Sequence, residues 1–300
     1  MEIETDPDTP QGEASASPAA CAQPDPNDVE EPRSSASPDS GASPRGRFGA
    51  GFLQLGVRIA HAQRGWRWLP WALAAGLLPL LVCWPLGSSA HQTVSGLALT
   101  VLVWGALHSG RAAVGIATIL LAFASHSALA ISLAALAPEQ IAGLFPDGPA
   151  YWAKQEAWIR SGHDPEYELA SWLPVHFQLL GACFVLAPLT LGLAIFARGF
   201  YEVDLMNVYV GTLLRESGGA WGAILVGWHP WSICRGLCYV LLTYELVGRV
   251  GEWLTGRSPP PGRARTWRVA LAFGFFAADC VIKSSCTEAV RSVLYASLVR

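Results

Sequence analysis

The sequence predicts an all-α fold: a polytopic transmembrane helix bundle of about six spans, preceded by a disordered N-terminal tail. Two features of composition support this prediction. Charged residues make up 14% of the 300 residues and hydrophobic residues 52%, whereas soluble domains carry about 25% charged residues. The first 48 residues differ from the rest, since they are rich in Pro, Ser, Ala, Asp and Glu.

Residues 1–48 form the predicted disordered, acidic tail. No aromatic residue precedes Phe48, and such a segment buries too little apolar surface to offset the entropy lost on ordering. The chain starts with Met1-Glu2-Ile3-Glu4, which is unlike a secretory signal peptide. We therefore expect the first apolar segment to act as an uncleaved insertion signal.

The predicted transmembrane domain covers residues 68–300 and is reached through an interfacial amphipathic segment at residues 49–67. In that segment apolar residues alternate loosely with Arg and His. Trp66, Trp68 and Trp71 then mark a membrane boundary, where tryptophan rings favour the headgroup layer. The first predicted span, residues 69–87, contains no charged residue.

The next two spans are predicted at residues 93–109 and 112–137. Together they form one apolar stretch, which as a single helix would be about 67 Å long, far more than a bilayer core. His108-Ser109-Gly110-Arg111 interrupts the stretch. A tight turn at Ser109-Gly110 therefore separates two crossings.

Residues 138–173 are predicted to be a surface loop between spans. Six acidic residues lie in it against Lys154 and Arg160. A short amphipathic helix is expected at Tyr151 to Ile159. Trp152, Trp158 and Trp172 suggest that this loop rests on the membrane surface.

The last three spans are predicted at residues 174–197, 219–248 and 268–285. The segment that follows residue 197 mixes acids with aromatic residues and is expected to be interfacial. His229-Pro230 breaks the fifth apolar run, because proline removes a backbone donor and favours a helix start. Residues 219–248 therefore either cross once after a short apolar segment or form a re-entrant hairpin.

The distribution of arginine predicts a multi-pass protein of the bacterial inner (cytoplasmic) membrane with a cytoplasmic N-terminus. Arg58, Arg64 and Arg67 precede the first span, and cytoplasmic loops carry an excess of basic residues. The acidic loop at 138–173 then falls outside. The loop at 249–268, with five Arg, lies outside if the fifth segment crosses once and inside if it is re-entrant. We favour one crossing.

Polar residues inside predicted spans are the candidate functional residues, because burying them in a bilayer is costly. The candidate cluster comprises His126, His229, Arg235, Asp279 and Lys283. Asp279 and Lys283 are four residues apart, so we expect them to form an ion pair on one helix face. His126 is expected to bond to a neighbouring helix, or alternatively to relay protons or bind a ligand.

No catalytic residue is predicted, since GxSxG, P-loop and HExxH patterns are absent from the sequence. No metal ligand set is predicted either. Seven cysteines occur without a CxxC pair, and we interpret them as small apolar core residues. The histidines come from different segments, so their convergence on haem or a metal is an alternative. The cofactor is otherwise unknown.

Three functional hypotheses follow, and the first is a structural or assembly subunit of a membrane complex. The predicted partners are the lipid bilayer and proteins that bind the 1–48 tail or the 138–173 loop. The second hypothesis is a transporter, permease or channel component, and the third is a haem- or metal-binding redox subunit. A non-enzymatic role is favoured. The net charge of −3 argues against a nucleic-acid partner.

Overall fold

A computed structural model of the chain describes residues 54, 56–163, 168–255 and 262–299, except for the side chains at positions 221 and 223. Within these residues the secondary structure is helical, without a strand, which confirms the predicted all-α class. The predicted disordered tail at residues 1–48 lies outside the described residues. The same holds for the start of the predicted interfacial segment, up to residue 53.

Three helices form the N-terminal half of the bundle: α1 (Trp68–Cys83), α2 (His91–His108) and α3 (Ala112–Leu136). Short 3₁₀ turns at Gly65–Arg67 and Trp84–Leu86 flank α1, and residues 56–62 are also helical. These helices coincide closely with the first three apolar runs. The predicted turn between α2 and α3 is present, with Gly110 in the left-handed region at φ 65°.

In its described residues the predicted surface loop contains two short helices, α4 (Pro138–Ile141) and α5 (Gly148–Ser161), and the beginning of the next long helix at Leu169. The expected amphipathic helix lies inside α5. Trp158 and Trp172, however, are only 1% and 2% exposed. Both rings are therefore packed inside the bundle, Trp158 in a core cluster with Leu213 and Leu294. The expectation that the loop rests on the membrane surface stays a prediction.

The apolar run at 174–197 belongs to two helices, α6 (Leu169–Leu189) and α7 (Leu193–Glu216). Leu191 and Gly192 separate them, with φ angles of 56° and 94°, a conformation that ends a right-handed helix. The segment that was expected to be interfacial is therefore a helix of 24 residues. Its acids and aromatics lie on one continuous helix.

The C-terminal part comprises α8 (Trp221–Gly227), α9 (Pro230–Thr255) and α10 (Arg263–Leu298). The chain breaks at His229-Pro230, as the sequence predicts, and Pro230 is the first residue of α9. Helix α10 has 36 residues, which at 1.5 Å per residue is about 54 Å, longer than a bilayer core. One end of α10 must extend past the hydrocarbon layer of a membrane.

Among the described residues, four helices are long and apolar enough to cross a membrane: Gly65–Leu86, Ala112–Leu136, Leu169–Leu189 and Arg263–Leu298. They support the assignment of the chain to membrane proteins. The predicted count of six spans is not confirmed by this criterion.

The helices run between two ends of the bundle. We define the arginine end of the bundle by residues 56–67, the α2–α3 turn, the C-terminus of α9 and the N-terminus of α10. At this end Arg111 Nη1 donates to the Gln63 carbonyl at 2.8 Å. The C-terminus of α6 also lies there, since Ala187 packs with Trp104. At the opposite loop end, α5 packs against the C-terminal parts of α7 and α10 through Trp158, Leu213 and Leu294.

Candidate metal centre

Three side chains from three helices meet inside the bundle. His91 Nε2 of α2 lies 2.9 Å from Asp204 Oδ2 of α7, and His126 Nε2 of α3 lies 2.6 Å from Asp204 Oδ1. The two histidines are fully buried and the aspartate is 1% exposed. One nitrogen from each histidine and one carboxylate oxygen lie within 4.8 Å of one another, close enough to bind one metal ion. We call His91, His126 and Asp204 the metal triad.

Two glycines allow the helices that carry the triad to approach closely. A Cβ atom at Gly76 of α1 would overlap with the Ala122 carbonyl and the Ser125 hydroxyl of α3. A Cβ atom at Gly96 of α2 would lie 2.8 Å from the backbone nitrogen of Ala197 in α7. Glycine at these positions therefore brings α1 onto α3 and α2 onto α7.

Each histidine of the triad is also bonded through its second ring nitrogen. His126 Nδ1 lies 3.1 Å from the Gly76 carbonyl oxygen, and His91 Nδ1 lies 3.3 Å from the Ser88 carbonyl oxygen. A carbonyl oxygen only accepts, so Nδ1 carries the proton in both rings. In the neutral imidazole, Nε2 then has a free lone pair, and both lone pairs are directed at Asp204. Metal-binding histidines commonly have this arrangement.

The carboxylate of Asp204 is held by a further donor. Gln92 Nε2 donates to Asp204 Oδ2 at 2.8 Å. Phe145 packs edge-on against His91 and Phe200 against His126, with ring centroids 5.3 Å and 4.9 Å apart. The amide orients the carboxylate, and the two aromatic rings restrict the imidazoles and exclude water.

The donor set suits a divalent transition metal. Two imidazole nitrogens and one carboxylate oxygen are ligands of Zn²⁺ and Fe²⁺. Ligand atoms at 2.0–2.1 Å around a tetrahedral ion are about 3.3 Å apart. The distances of 2.6 Å and 2.9 Å in the triad are hydrogen-bond distances, so each imidazole nitrogen would have to move away from the carboxylate oxygen it contacts to hold an ion.

A second polar side chain lies one turn from Asp204 on the buried face of α7. Asn207 is fully buried, and neither atom of its amide group has a hydrogen-bond partner among the described residues. An unsatisfied buried amide is costly. A buried water that bonds to the amide would remove that cost.

A second charged cluster joins α6, α9 and α10. Arg235 Nε and Nη2 each donate to one oxygen of Asp279 at 3.1 Å, and His176 Nε2 lies 3.5 Å from Asp279 Oδ2. The ammonium group of Lys283 lies 4.9 Å from the centre of the Trp172 ring. Arg235 on another helix is thus a partner of Asp279 in the structure, and the predicted pairing with Lys283 stays a prediction.

The five residues proposed from the sequence are divided between these places. His126 belongs to the metal triad, whereas Arg235 and Asp279 form the second cluster, with Lys283 one helical turn further along α10. His229 stacks on Trp231 with ring centroids 4.6 Å apart, and the Tyr209 hydroxyl lies 3.5 Å from its Nε2. His229 therefore lies in an aromatic environment at the loop end.

Sequence reasoning did not single out His91, Gln92 or Asp204 as functional, and it left His176, a polar residue inside a predicted span, out of the candidate cluster. Asp204 was placed at the interface because it follows the charged residues Arg198 and Glu202. A signal was nevertheless present, since Phe196, Phe200 and Asp204 recur at four-residue spacing and are all buried in α7. Helical spacing thus indicated that Asp204 shares the apolar face.

Comparison of the chain with protein-family models, with curated proteins and with solved structures gives no match. The function is therefore inferred from the geometry of the chain itself.

Proposed function

We propose that this chain is a metal-binding integral membrane protein in which His91, His126 and Asp204 hold one divalent transition-metal ion. The observation that carries the proposal is the orientation of the two imidazoles. Both donate through Nδ1 to a backbone carbonyl and direct Nε2 at the same carboxylate. This proposal makes the metal-binding hypothesis the first of the three.

Because the triad is buried, a bound metal ion is favoured over direct hydrogen bonds between the two histidines and Asp204. With Nδ1 protonated, a neutral imidazole would present a lone pair to the carboxylate, which also only accepts. Hydrogen bonds to an ionised Asp204 therefore require Nε2–H on each ring, and hence two imidazolium groups in a dry interior, whereas a protonated Asp204 could donate to one neutral ring only. A bound divalent ion meets the same nitrogens and oxygen without either extra proton.

The role of the ion would be to join the bundle. Its ligands come from α2, α3 and α7, and the backbone carbonyl of Gly76 in α1 holds one of them. A single ion then fixes the relative positions of four helices. This agrees with the structural or assembly role proposed from the sequence, in which protein partners bind the 1–48 tail or the 138–173 loop.

A second candidate function is proton relay in a transporter. The contact distances of 2.6 Å and 2.9 Å favour it, because they suit shared protons better than metal ligands. In this alternative the His126–Asp204–His91 series would hold and pass protons. Measurement of bound metal separates the two candidates.

We also propose how the chain lies in the membrane. Seven described helices of 16 or more residues alternate in direction, since α7 runs back to the loop end between α6 and α9. If α7 crosses, the arginine-rich connection between α9 and α10 lies on the same side as Arg58, Arg64 and Arg67. The six-span arrangement leaves it on the opposite side. Seven crossings therefore resolve the conflict in charge distribution, with the arginine end in the cytoplasm of a bacterial cell.

Elemental analysis of the purified protein tests the proposed function. The wild type, purified in mild detergent from cells supplied with Zn²⁺, Fe²⁺ and Mn²⁺, is expected to retain about one metal ion per chain. Asp204→Asn keeps the shape of the side chain but removes the negative charge. We expect it to reduce retained metal by at least about tenfold.

The matched control is His176→Gln, which removes a buried histidine outside the triad and should retain metal. If the wild type is metal-free after this supply, the metal proposal fails and proton relay becomes the first candidate. Equal metal content in both variants would place the ion elsewhere.

A further inference from the structure

A cavity of about 320 Å³ lies at the arginine end, where the helical residues 56–62 meet the α2–α3 turn. Its lining contains Val57, Ala60, His61, Arg64, His108, Ser109 and Arg111. Two arginines, two histidines and a hydroxyl group thus face one space without a carboxylate in the lining. The basic side chains that line the cavity make it suitable for binding an anion.

A neighbouring cavity shows how the chain neutralises arginine elsewhere. This second cavity, of about 630 Å³, includes Arg265 and Glu245 in its lining. Arg265 Nε lies 2.8 Å from Glu245 Oε2, and Arg265 Nη1 lies 2.7 Å from Glu252 Oε1. Carboxylates of the same cavity satisfy the cation there, whereas the lining of the 320 Å³ cavity provides none.

The walls of the 320 Å³ cavity are fixed in place. Gln63 Nε2 donates to the Leu102 carbonyl at 3.0 Å and anchors the interfacial segment to α2. Arg111 Nη1 donates to the Gln63 carbonyl at 2.8 Å. Gly56 packs directly against the His108 ring, so that a Cβ atom there would overlap with it. The basic side chains therefore project from a preformed frame.

His108 lines the cavity with one ring nitrogen bonded to the backbone and the other without a partner among the described residues. Its Nδ1 lies 3.0 Å from the Trp104 carbonyl oxygen and so carries a proton. Its Nε2 is buried and has no hydrogen-bond partner among the described residues. In the neutral ring Nε2 is an acceptor, so His108 lines the cavity without adding a donor to it.

The cavity lies beside a predicted membrane boundary. Trp66 and Trp71 are 81% and 53% exposed close to it in the chain, as expected for rings at the headgroup layer. Anionic lipids attract basic groups at the cytoplasmic surface. A phosphate group at this depth would be within reach of Arg64 and Arg111.

We propose that this cavity binds a phosphate oxyanion, either on the headgroup of an anionic phospholipid or as free phosphate. The anion would lie between the guanidinium groups of Arg64 and Arg111. The proposal does not depend on metal binding at the triad.

Binding of lipids to the full chain in detergent, followed by native mass spectrometry, tests the proposal. Phosphatidylglycerol is the anionic probe and phosphatidylcholine the neutral one, and inorganic phosphate is added as competitor. We expect phosphatidylglycerol to bind in preference. Arg64→Gln should weaken that binding about fivefold, and Arg64→Gln with Arg111→Gln about 25-fold.

Arg58→Gln is the matched control, since Arg58 is exposed on the same segment but does not line the cavity. Displacement of the lipid by millimolar phosphate, with the same dependence on Arg64, would identify free phosphate as the ligand. The proposal is overturned if Arg58→Gln and Arg64→Gln have equal effects or if neither lipid nor phosphate responds to Arg64→Gln. Because Arg64 is exposed, the single variant should fold even if the double variant does not.

Discussion

Three side chains from two other helices lie within hydrogen-bond distance of the Asp204 carboxylate. They are His91 and Gln92 from α2 and His126 from α3. Such convergence is unusual in the interior of an apolar bundle, where each polar group raises the cost of burial. The contacts among these four side chains offset the cost of burying each of them. Their arrangement is more specific than packing requires, because both imidazole rings are also fixed through Nδ1.

Arg235 and Asp279 illustrate compensation by charge at the same scale. Two parallel hydrogen bonds of 3.1 Å join them, and such a bidentate pair is strong. Removing one member leaves the other as an uncompensated buried charge, whereas removing both can be nearly neutral. The identity of the cationic partner can therefore be found by comparing double variants.

We expect Asp279→Leu alone to destabilise the protein by about 3 kcal/mol, because Arg235 loses its carboxylate. Arg235→Leu with Asp279→Leu should recover most of that stability. Thermal unfolding in detergent measures both. The control is Asp279→Leu with Lys283→Leu, which should recover less; a larger recovery there would show that Lys283 is the partner, as the sequence predicts.

Only some of the residues in the two polar clusters could be predicted from the sequence. His126, Arg235 and Asp279 stand out because each interrupts an apolar run. Asp204 does not, since Arg198 and Glu202 precede it and lower the hydropathy of the segment. Its bonds to His91 and Gln92 join residues more than 100 positions apart, and no local pattern encodes such a pairing.

At the scale of the helices, close approach depends on small residues. Gly96 of α2 faces the backbone of Ala197 in α7, with only 2.8 Å for a Cβ atom. The backbone atoms of Ala197 cannot rotate away from an added Cβ atom as the end of a long side chain can. The contact sets the separation of the two helices that carry His91 and Asp204, so packing and the metal triad are coupled here.

Gly96→Ala is expected to lower stability by about 1–3 kcal/mol, since α2 and α7 must move apart. It should also weaken metal binding, because the triad widens unevenly. Thermal unfolding with and without added Zn²⁺ measures both effects. Gly181→Ala in α6, with open space around the glycine, should instead be neutral or stabilising; equal destabilisation by both variants would contradict the packing argument.

Two helix boundaries were predicted correctly, and a third was missed. The break at His229-Pro230 and the turn at Gly110 are both present. The break at Leu191-Gly192 was missed although a glycine marks it, because glycine also occurs inside helices of this chain, as at Gly181, and leucine rarely adopts a positive φ. These two residues divide α6 from α7 and change the number of long helices.

On the scale of the whole molecule, the additional long helix α7 determines where the C-terminal part lies. With α7 as a crossing, the N-terminus of α10 is at the arginine end and the C-terminus of the chain at the loop end. The six-span arrangement, with a single crossing at 219–248, reverses both positions relative to the N-terminus. The two arrangements can thus be separated by accessibility.

Single cysteines in a cysteine-free variant, labelled with a membrane-impermeant maleimide in intact cells and in lysed cells, test the arrangement. Ser161→Cys and Val299→Cys should react in intact cells, since both lie at the loop end. Arg58→Cys and Arg263→Cys should react only after lysis. Labelling of Arg263→Cys but not Val299→Cys in intact cells would instead support six crossings.

The most direct test of the metal triad is X-ray absorption spectroscopy of the purified, zinc-loaded protein. The spectrum should show nitrogen and oxygen ligands at about 2.0–2.1 Å, with the outer-shell scattering of two imidazole rings. His126→Gln should reduce that scattering to one ring. Sulfur ligands at about 2.3 Å, or a spectrum of two rings that does not change in His126→Gln, would show that His91, His126 and Asp204 do not hold the ion.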